Sequence, residues 1–286
     1  MLFGPLARAP FGGWTGFGLA PPEPPAPPAP FGPLARAPFG GWTGFGTPGL
    51  CVYARSVIEE LQGELERRAH PDKKAWWENY VKGASFRGTP MREVRSAVGD
   101  WLRARPGLSV SEQKVLAFEL MRQPLTEDKL AGILILSEHV IDALTVDDLS
   151  DFHTLLADEH LCDWSACDWF CVKVLARMLE RSSERAQIAD QLIEWTRSDR
   201  LWVRRAGLVA FVNLAPKGDA ILPGLRDRVL TGAARNARDQ RRFAQTSVGW
   251  VLRELSRSEP EAVRDFLAEH GEQLSGEARR AASAKL

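Results

Sequence analysis

From residue 51 to the end of the chain, apolar residues recur at three-to-four spacing in one segment after another, a period that fits helices and not strands. Val52, Val57, Ile58, Leu61 and Leu65 make one face, and Val94, Val98, Trp101 and Leu102 another. Val115, Leu116, Phe118, Leu120 and Met121 follow, then Leu130, Ile133, Leu134 and Ile135. The series continues through Cys167, Phe170, Cys171, Val174, Leu175 and Met178, and through Ile188, Leu192, Ile193 and Trp195. It closes with Leu208, Val209, Phe211, Val212 and Leu214, and with Val248, Val251, Leu252 and Leu255. Breakers separate the segments at Thr89-Pro90, Arg105-Pro106-Gly107, Gln123-Pro124, Pro216-Lys217-Gly218, Ser258-Glu259-Pro260 and Ser275-Gly276. Ser109-x-x-Glu112 has the form of a capping box, and a cap at Thr145 puts Asp147 and Asp148 in a first turn, where the helix dipole favours acids. Roughly a dozen helices of about 10–18 residues with short links predict an all-α fold. The expected form is an α-solenoid of HEAT-like antiparallel helix pairs, whose curvature makes a concave binding surface. A compact bundle is the alternative; this many short pairs favours stacking.

Residues 1–50 are a different material. They hold 12 of the chain's 19 prolines and 11 of its 24 glycines, with Arg8, Glu23 and Arg36 as the charged residues. FGPLARAPFGGWTGFG occurs twice without change, at Phe3–Gly18 and Phe31–Gly46, around the spacer LAPPEPPAPPAP. Proline removes backbone donors and glycine adds unfolded-state entropy, so a disordered tail is expected, followed by one helical domain over 51–286. One reading is a tail whose aromatics and prolines bind a partner. The other is a disordered extension, or a start misassigned through a tandem duplication.

Composition excludes several classes. Lys+Arg and Asp+Glu are both 37, so the chain is not histone-like or polyanionic. No run approaches a membrane span, and no secretory signal is expected, since the first residues lack a basic start, an apolar run and a small-residue cleavage site. Four cysteines are no disulfide framework, so a reducing cytoplasm is expected. His160, Cys162, Cys167 and Cys171 lack the spacing of zinc ligands, and Cys167 and Cys171 fit a buried helix face; no metal and no cofactor is expected.

Neutrality is nevertheless a cancellation. Residues 126–196 carry 15 acids against five bases, a balance of −10. Residues 200–257 carry 12 bases against four acids, a balance of +8, and 11 of those bases are Arg. Such a stretch reads as a phosphate-binding surface, because guanidinium forks match phosphate oxygens. It also fits solvated helix faces with intrahelical partners. The acidic run around 138–163 reads as a solvated convex face. Of ten tryptophans, eight lie after residue 50. Trp101 and Trp195 sit on apolar faces. Trp76, Trp77 and Tyr80 cluster beside Lys82, Trp164 and Trp169 flank Asp168, Trp202 precedes Arg204 and Arg205, and Trp250 shares a helix with Arg253. Aromatics interleaved with cations suit stacking on bases or sugars beside phosphate contacts.

Four segments carry a resemblance. Asn79-Tyr80-Val81-Lys82 with Phe86-x-Gly88-x-Pro90-x-Arg92 resembles the Tyr-Met-Lys entry motif and Gly…Pro…Arg continuation of the AlkD-like DNA alkylation repair family, with a shorter gap between Gly and Pro. Trp164-Ser165-Ala166-Cys167-Asp168 is similar to its Trp-Asp-x-Val-Asp segment, and Leu201-Trp202-Val203-Arg204-Arg205-Ala206 to its Leu-Trp-x-x-Arg-Ala segment. Ser247-Val248-Gly249-Trp250-Val251-Leu252-Arg253-Glu254 resembles its Ile-Gly-Trp-Val-Leu-Arg-Glu segment, the most specific of the four.

The resemblance implies a HEAT-repeat DNA glycosylase that excises N3- and N7-alkylated purines without flipping the base into a pocket, leaving an abasic site. It implies a catalytic carboxylate at Asp168, aromatic contacts to sugar and backbone from Tyr80, Trp164 and Trp250, and a DNA-backbone arginine at Arg205. Lys82 and Arg204 join the expected DNA contacts. The implied partner is double-stranded DNA, the implied state a monomer, and the implied place the bacterial cytoplasm, at the nucleoid. Ser165 stands where an acid often precedes the catalytic one by three, with Asp163 nearby, and Trp169 adds bulk after Asp168. Both departures bear on substrate range. A non-catalytic DNA-binding or scaffold protein of the same architecture is the other function class.

Overall fold

The computed structural model describes residues 48–286, with side chains from residue 56 on. The disordered-tail reading of residues 1–50 falls outside these residues, apart from Pro48–Leu50, which already belong to the first helix. The chain divides at Val52/Tyr53, and the fold below is that of Tyr53–Leu286.

The helices are α1 (Pro48–Arg67), α2 (Pro71–Tyr80), α3 (Met91–Arg103), α4 (Val110–Met121), α5 (Thr126–Leu134), α6 (Leu149–Ala157) and α7 (Trp164–Phe170). They continue as α8 (Ala176–Arg181), α9 (Arg185–Trp195), α10 (Leu201–Val209), α11 (Leu225–Ala237), α12 (Arg242–Leu255), α13 (Pro260–His270) and α14 (Gly276–Ser283). Among the described residues there is no strand, only an isolated bridge between Ser85 and Leu125. The predicted breakers fall at helix ends: Pro90 caps α3, Pro260 opens α13 and Ser275 caps α14. The Ser109 box forms, with Ser109 N–H donating to the Glu112 carboxylate at 2.8 Å and Glu112 N–H donating to Ser109 Oγ at 3.2 Å. Thr145 N–H donates to Asp148 at 2.8 Å, as the sequence pattern requires.

The architecture is that of an α-solenoid. α5, α7, α10, α12 and α14 form one layer, each touching the next, while α9, α11 and α13 do the same in a second layer. Short links join the layers, with α4 packed on α5, α9 on α10 and α11 on α12. Helices of the first layer begin at Thr126, Trp164, Leu201, Arg242 and Gly276, a recurrence of roughly 35–40 residues that sequence similarity alone is too weak to reveal. The apolar faces supply the core between layers: Leu116, Phe118, Ile133, Phe152, Phe170, Leu192, Phe211 and Val251 are all buried.

Two features have no counterpart in the periodicity. α5 runs on through a π turn, Ile135–His139, and α7 through another, Cys171–Leu175, into α8. A π turn changes the hydrogen-bond register without altering which residues are apolar. The second feature is a close crossing. A Cβ on Gly249 would lie 2.7 Å from Ala278 O, so α12 and α14 meet at a distance that admits hydrogen alone.

Candidate active site

The site begins at a helix cap. Asp163 precedes α7, and its carboxylate accepts from Ser165 N–H at 2.8 Å, Ala166 N–H at 2.9 Å and Ser165 Oγ at 2.5 Å. Three donors that would otherwise be orphaned at a buried helix start are thereby satisfied. The cap fixes where α7 starts, and Trp164 and Asp168 then stand one turn apart on one face. The departure at Ser165 thus has a structural role: its hydroxyl is bound by the acid two residues earlier. Asp163 and Asp148 are both buried, so the acidic run is not wholly a solvated face; Asp148 pairs with Lys114.

Asp168 is the fifth residue of α7, Arg205 the fifth of α10 and Thr246 the fifth of α12. The stacked helices bring these equivalent positions together. Arg205 Nε donates to Asp168 Oδ1 at 2.7 Å and Nη2 to Oδ2 at 2.8 Å, a two-pronged pair. Its Nη1 donates to Phe243 O at 2.7 Å and Thr246 Oγ1 at 3.1 Å. Asp168 is 5% exposed and Arg205 1%. Burial pushes the Asp168 carboxyl above its ordinary value; Arg205 pulls it back, and the nearby Asp163 charge adds to the rise. Each fork oxygen keeps a further lone pair, so the carboxylate retains acceptor capacity beyond Arg205.

Arg205, expected from the resemblance to contact the DNA backbone, is turned inward in this structure. A side chain 1% exposed, with Nε, Nη1 and Nη2 all donating within the protein, holds Asp168 and ties α7 to α12. Arg204 is also engaged internally. Its Nε donates to Ser198 O at 2.9 Å, its Nη1 to Arg235 O at 3.3 Å, and Asp239 lies 3.3 Å away. Trp202 is buried and packs on Phe243 with ring centroids 5.1 Å apart.

Aromatic side chains reach the site from α2. Tyr80, 48% exposed, sets its ring edge-on to Trp164 at 5.5 Å and stacks on Trp76 at 5.1 Å. Trp77 anchors this group by stacking on buried Phe86 at 5.7 Å. Lys82 is exposed and donates to Asn79 Oδ1 at 2.7 Å. Trp250, half-buried, stands one turn beyond Thr246 on α12. The structure therefore gathers Tyr80, Trp164, Asp168 and Arg205, places Trp250 one turn from that cluster, and leaves Lys82 at the surface near Tyr80.

Sequence reasoning missed the staple that holds the segment after Tyr80. Glu127, buried at the start of α5, accepts N–H bonds from Arg87 at 2.8 Å, Gly88 at 2.8 Å and Thr89 at 3.1 Å. Arg87 Nη2 donates to both oxygens of buried Asp128, at 2.9 and 2.7 Å. Burial pushes the Glu127 carboxyl up, against the pull of those backbone donors. Gly88 has φ +95°, and a Cβ there would lie 2.3 Å from His70 O. The signal that pointed here was the Gly…Pro pair; the acids answering it lie some 40 residues away and follow no local pattern.

The Arg-rich stretch is mostly paired. Lys217 meets Glu180 at 3.1 Å, Arg228 meets Asp190 at 2.7 Å and Arg235 meets Glu194 at 3.1 Å, each reaching one helix pair back into the acidic stretch. Of its 12 bases, Arg200 and Arg238 alone make no ion pair among the described residues, and both are exposed. Cys167 and Cys171 are buried, as their helix face required. Among the described residues no helix is long and apolar enough to cross a membrane.

Residues 61–286 match the family described as DNA alkylation repair enzyme. Among solved structures, the fold is similar to a predicted DNA alkylation repair enzyme from Enterococcus faecalis, with a TM-score of 0.64 and 17% identity over 77% of this chain and 97% of that one. No curated protein matches the sequence.

Proposed function

The chain belongs to the DNA alkylation repair enzyme family, and from that premise we propose that it is a monofunctional DNA glycosylase acting on cationic N3- and N7-alkylated purines. The observation that carries this reading is a carboxylate held by a two-pronged guanidinium beside two aromatic rings. Alkylation at N3 or N7 leaves the base positively charged, so the bond from sugar C1′ to the base is already weakened. As it breaks, the bonding electrons go to the base, which leaves neutral, and positive charge develops on the deoxyribose. Asp168 is the group that faces that charge, fixed in place and poorly hydrated, where an anion acts more strongly than in water. Water adds to C1′ and loses a proton to Asp168 or solvent, leaving an abasic site. Tyr80, Trp164 and Trp250 would pack against sugar and backbone around the lesion, with Arg205 acting through Asp168.

The helix pairs are read as HEAT-like, the partner as double-stranded DNA bound by a monomer, and the functional body as residues 51–286. A place in the bacterial cytoplasm, at the nucleoid, fits that reading. The test is release of 7-methylguanine or 3-methyladenine from alkylated duplex DNA, wild type beside Asp168→Asn. Wild type is expected to release base, and the isosteric amide to lose at least about a hundredfold, as when a preorganised charge is removed from an active site. A wild type that binds the DNA yet releases neither simple nor bulky alkylated bases would return the chain to the class of DNA-binding scaffolds. Release equal in both proteins would remove Asp168 from the chemistry.

A further inference from the structure

α2 is the one described helix that buries none of its residues, yet it carries two large aromatics at the surface. Trp76 is 52% exposed and Tyr80 48%; the other exposed large apolar side chains among the described residues are Val110 and Leu286. The two rings are one turn apart and stack at 5.1 Å with an interplanar angle of 20°. The arrangement is braced from beneath. Trp77 meets Trp76 edge-on at 4.8 Å and stacks on buried Phe86, while Tyr80 abuts Trp164 of α7. A Trp–Tyr stack so held has little conformational freedom left to lose on binding.

The surroundings indicate the occupant. Lys73 and Lys74 are exposed on the same helix, with no ion pair among the described residues, and Lys82, just past its end, is bonded to Asn79. A flat aromatic face edged by lysines fits a nucleic-acid strand, bases on the rings and phosphates on the ammonium groups. A base within an intact duplex already has both faces covered by its neighbours, so such a platform suits a base that has lost its partner. Trp76 lies outside the segments that carry the family resemblance.

We propose that Trp76, backed by Tyr80, is a stacking site for an unpaired base of the DNA, lying beside the centre of chemistry. This rests on the DNA-repair reading and deepens it: the preferred DNA is a duplex with an unstacked base. The site binds and positions; it takes no part in bond breaking.

The test uses the full chain and unmodified DNA, so it is independent of base excision. Affinity is measured for a duplex carrying a one-adenine bulge and for the fully paired duplex of the same length, with wild type, Trp76→Ala and Trp76→Phe. Wild type is expected to prefer the bulged duplex. Trp76→Ala should lose roughly five- to a hundredfold on the bulged duplex and stay within about twofold on the paired one. Trp76→Phe, which keeps a ring, should retain most of the preference. Trp76 is half exposed, on a helix that buries none of its residues, so thermal melting of both variants should stay close to wild type. Equal losses on both DNAs, or no loss on either, would overturn the proposal while leaving the DNA reading intact. A wild type that binds neither DNA would overturn both.

Discussion

At the residue scale, Arg205 carries the most consequence. A sequence motif gives a residue's identity and its place along a helix; the direction of its donors depends on neighbours some 40 positions away. Here those neighbours are Asp168, Phe243 and Thr246. Arg205→Ala leaves a buried carboxylate without its partner and is expected to cost about 3–5 kcal/mol, read as a loss of thermal stability. Because Arg205 is engaged within the protein, the salt dependence of DNA binding by the folded variant should not change; a shallower slope would put Arg205 back on the phosphates. The same pair sets a pH dependence. On the proposed mechanism Asp168 acts ionised, and burial raises its carboxyl, so activity should fall as pH drops through a value above the ordinary aspartate range of about 4. Arg205→Lys keeps the charge but not the fork, which weakens the opposing pull and should move this acid limb further up in pH. A pH–rate profile of both proteins checks the order.

At the scale of elements, the start of α7 is set by Asp163, and that start fixes which residue faces Arg205. Asp163→Ala removes the acceptor for three donors and should cost about 1–2 kcal/mol, and on the proposed function base excision should fall with it. Asp163→Asn, itself a good cap, should recover most of the stability. Equal melting of Asp163→Ala and wild type would show that the cap does not hold the helix. α12 is constrained differently. Gly249→Ala drives a methyl to 2.7 Å from Ala278 O and should destabilise by about 1–3 kcal/mol through forced separation of α12 and α14, measurable by denaturant unfolding. The elements differ in how readable they were. Apolar period, prolines and the Ser109 box are local signals, and they place the helices well. The π turns at 135–139 and 171–175 leave the apolar pattern intact, and the Glu127 staple joins groups distant in sequence, so neither has a local signature.

For the whole molecule, charge segregation reads differently once the helices are stacked. An acidic stretch followed by an Arg-rich one, offset by about one repeat, is an arrangement in which each helix pair can neutralise the one before it. The surplus of arginine along the sequence therefore overstates the cation surface offered to DNA. Exposed ion pairs of this kind add little stability each, about 0–1 kcal/mol, and their cations must break an existing contact before meeting a phosphate. Arg200 and Arg238 have no such contact to break among the described residues; Arg200 stands at the start of α10 and Arg238 just past α11. The salt slope of duplex binding separates the two classes, since each neutralised phosphate contributes about 0.9 to it. Replacing Arg200 and Arg238 together by Gln should lower the slope by about two and weaken binding alike across DNA sequences. Replacing Lys217 and Arg228 together by Gln, which removes as much formal charge, should leave the slope unchanged. If both pairs lowered it equally, DNA would be responding to total charge, and the pairing between successive repeats would have no bearing on where the duplex binds.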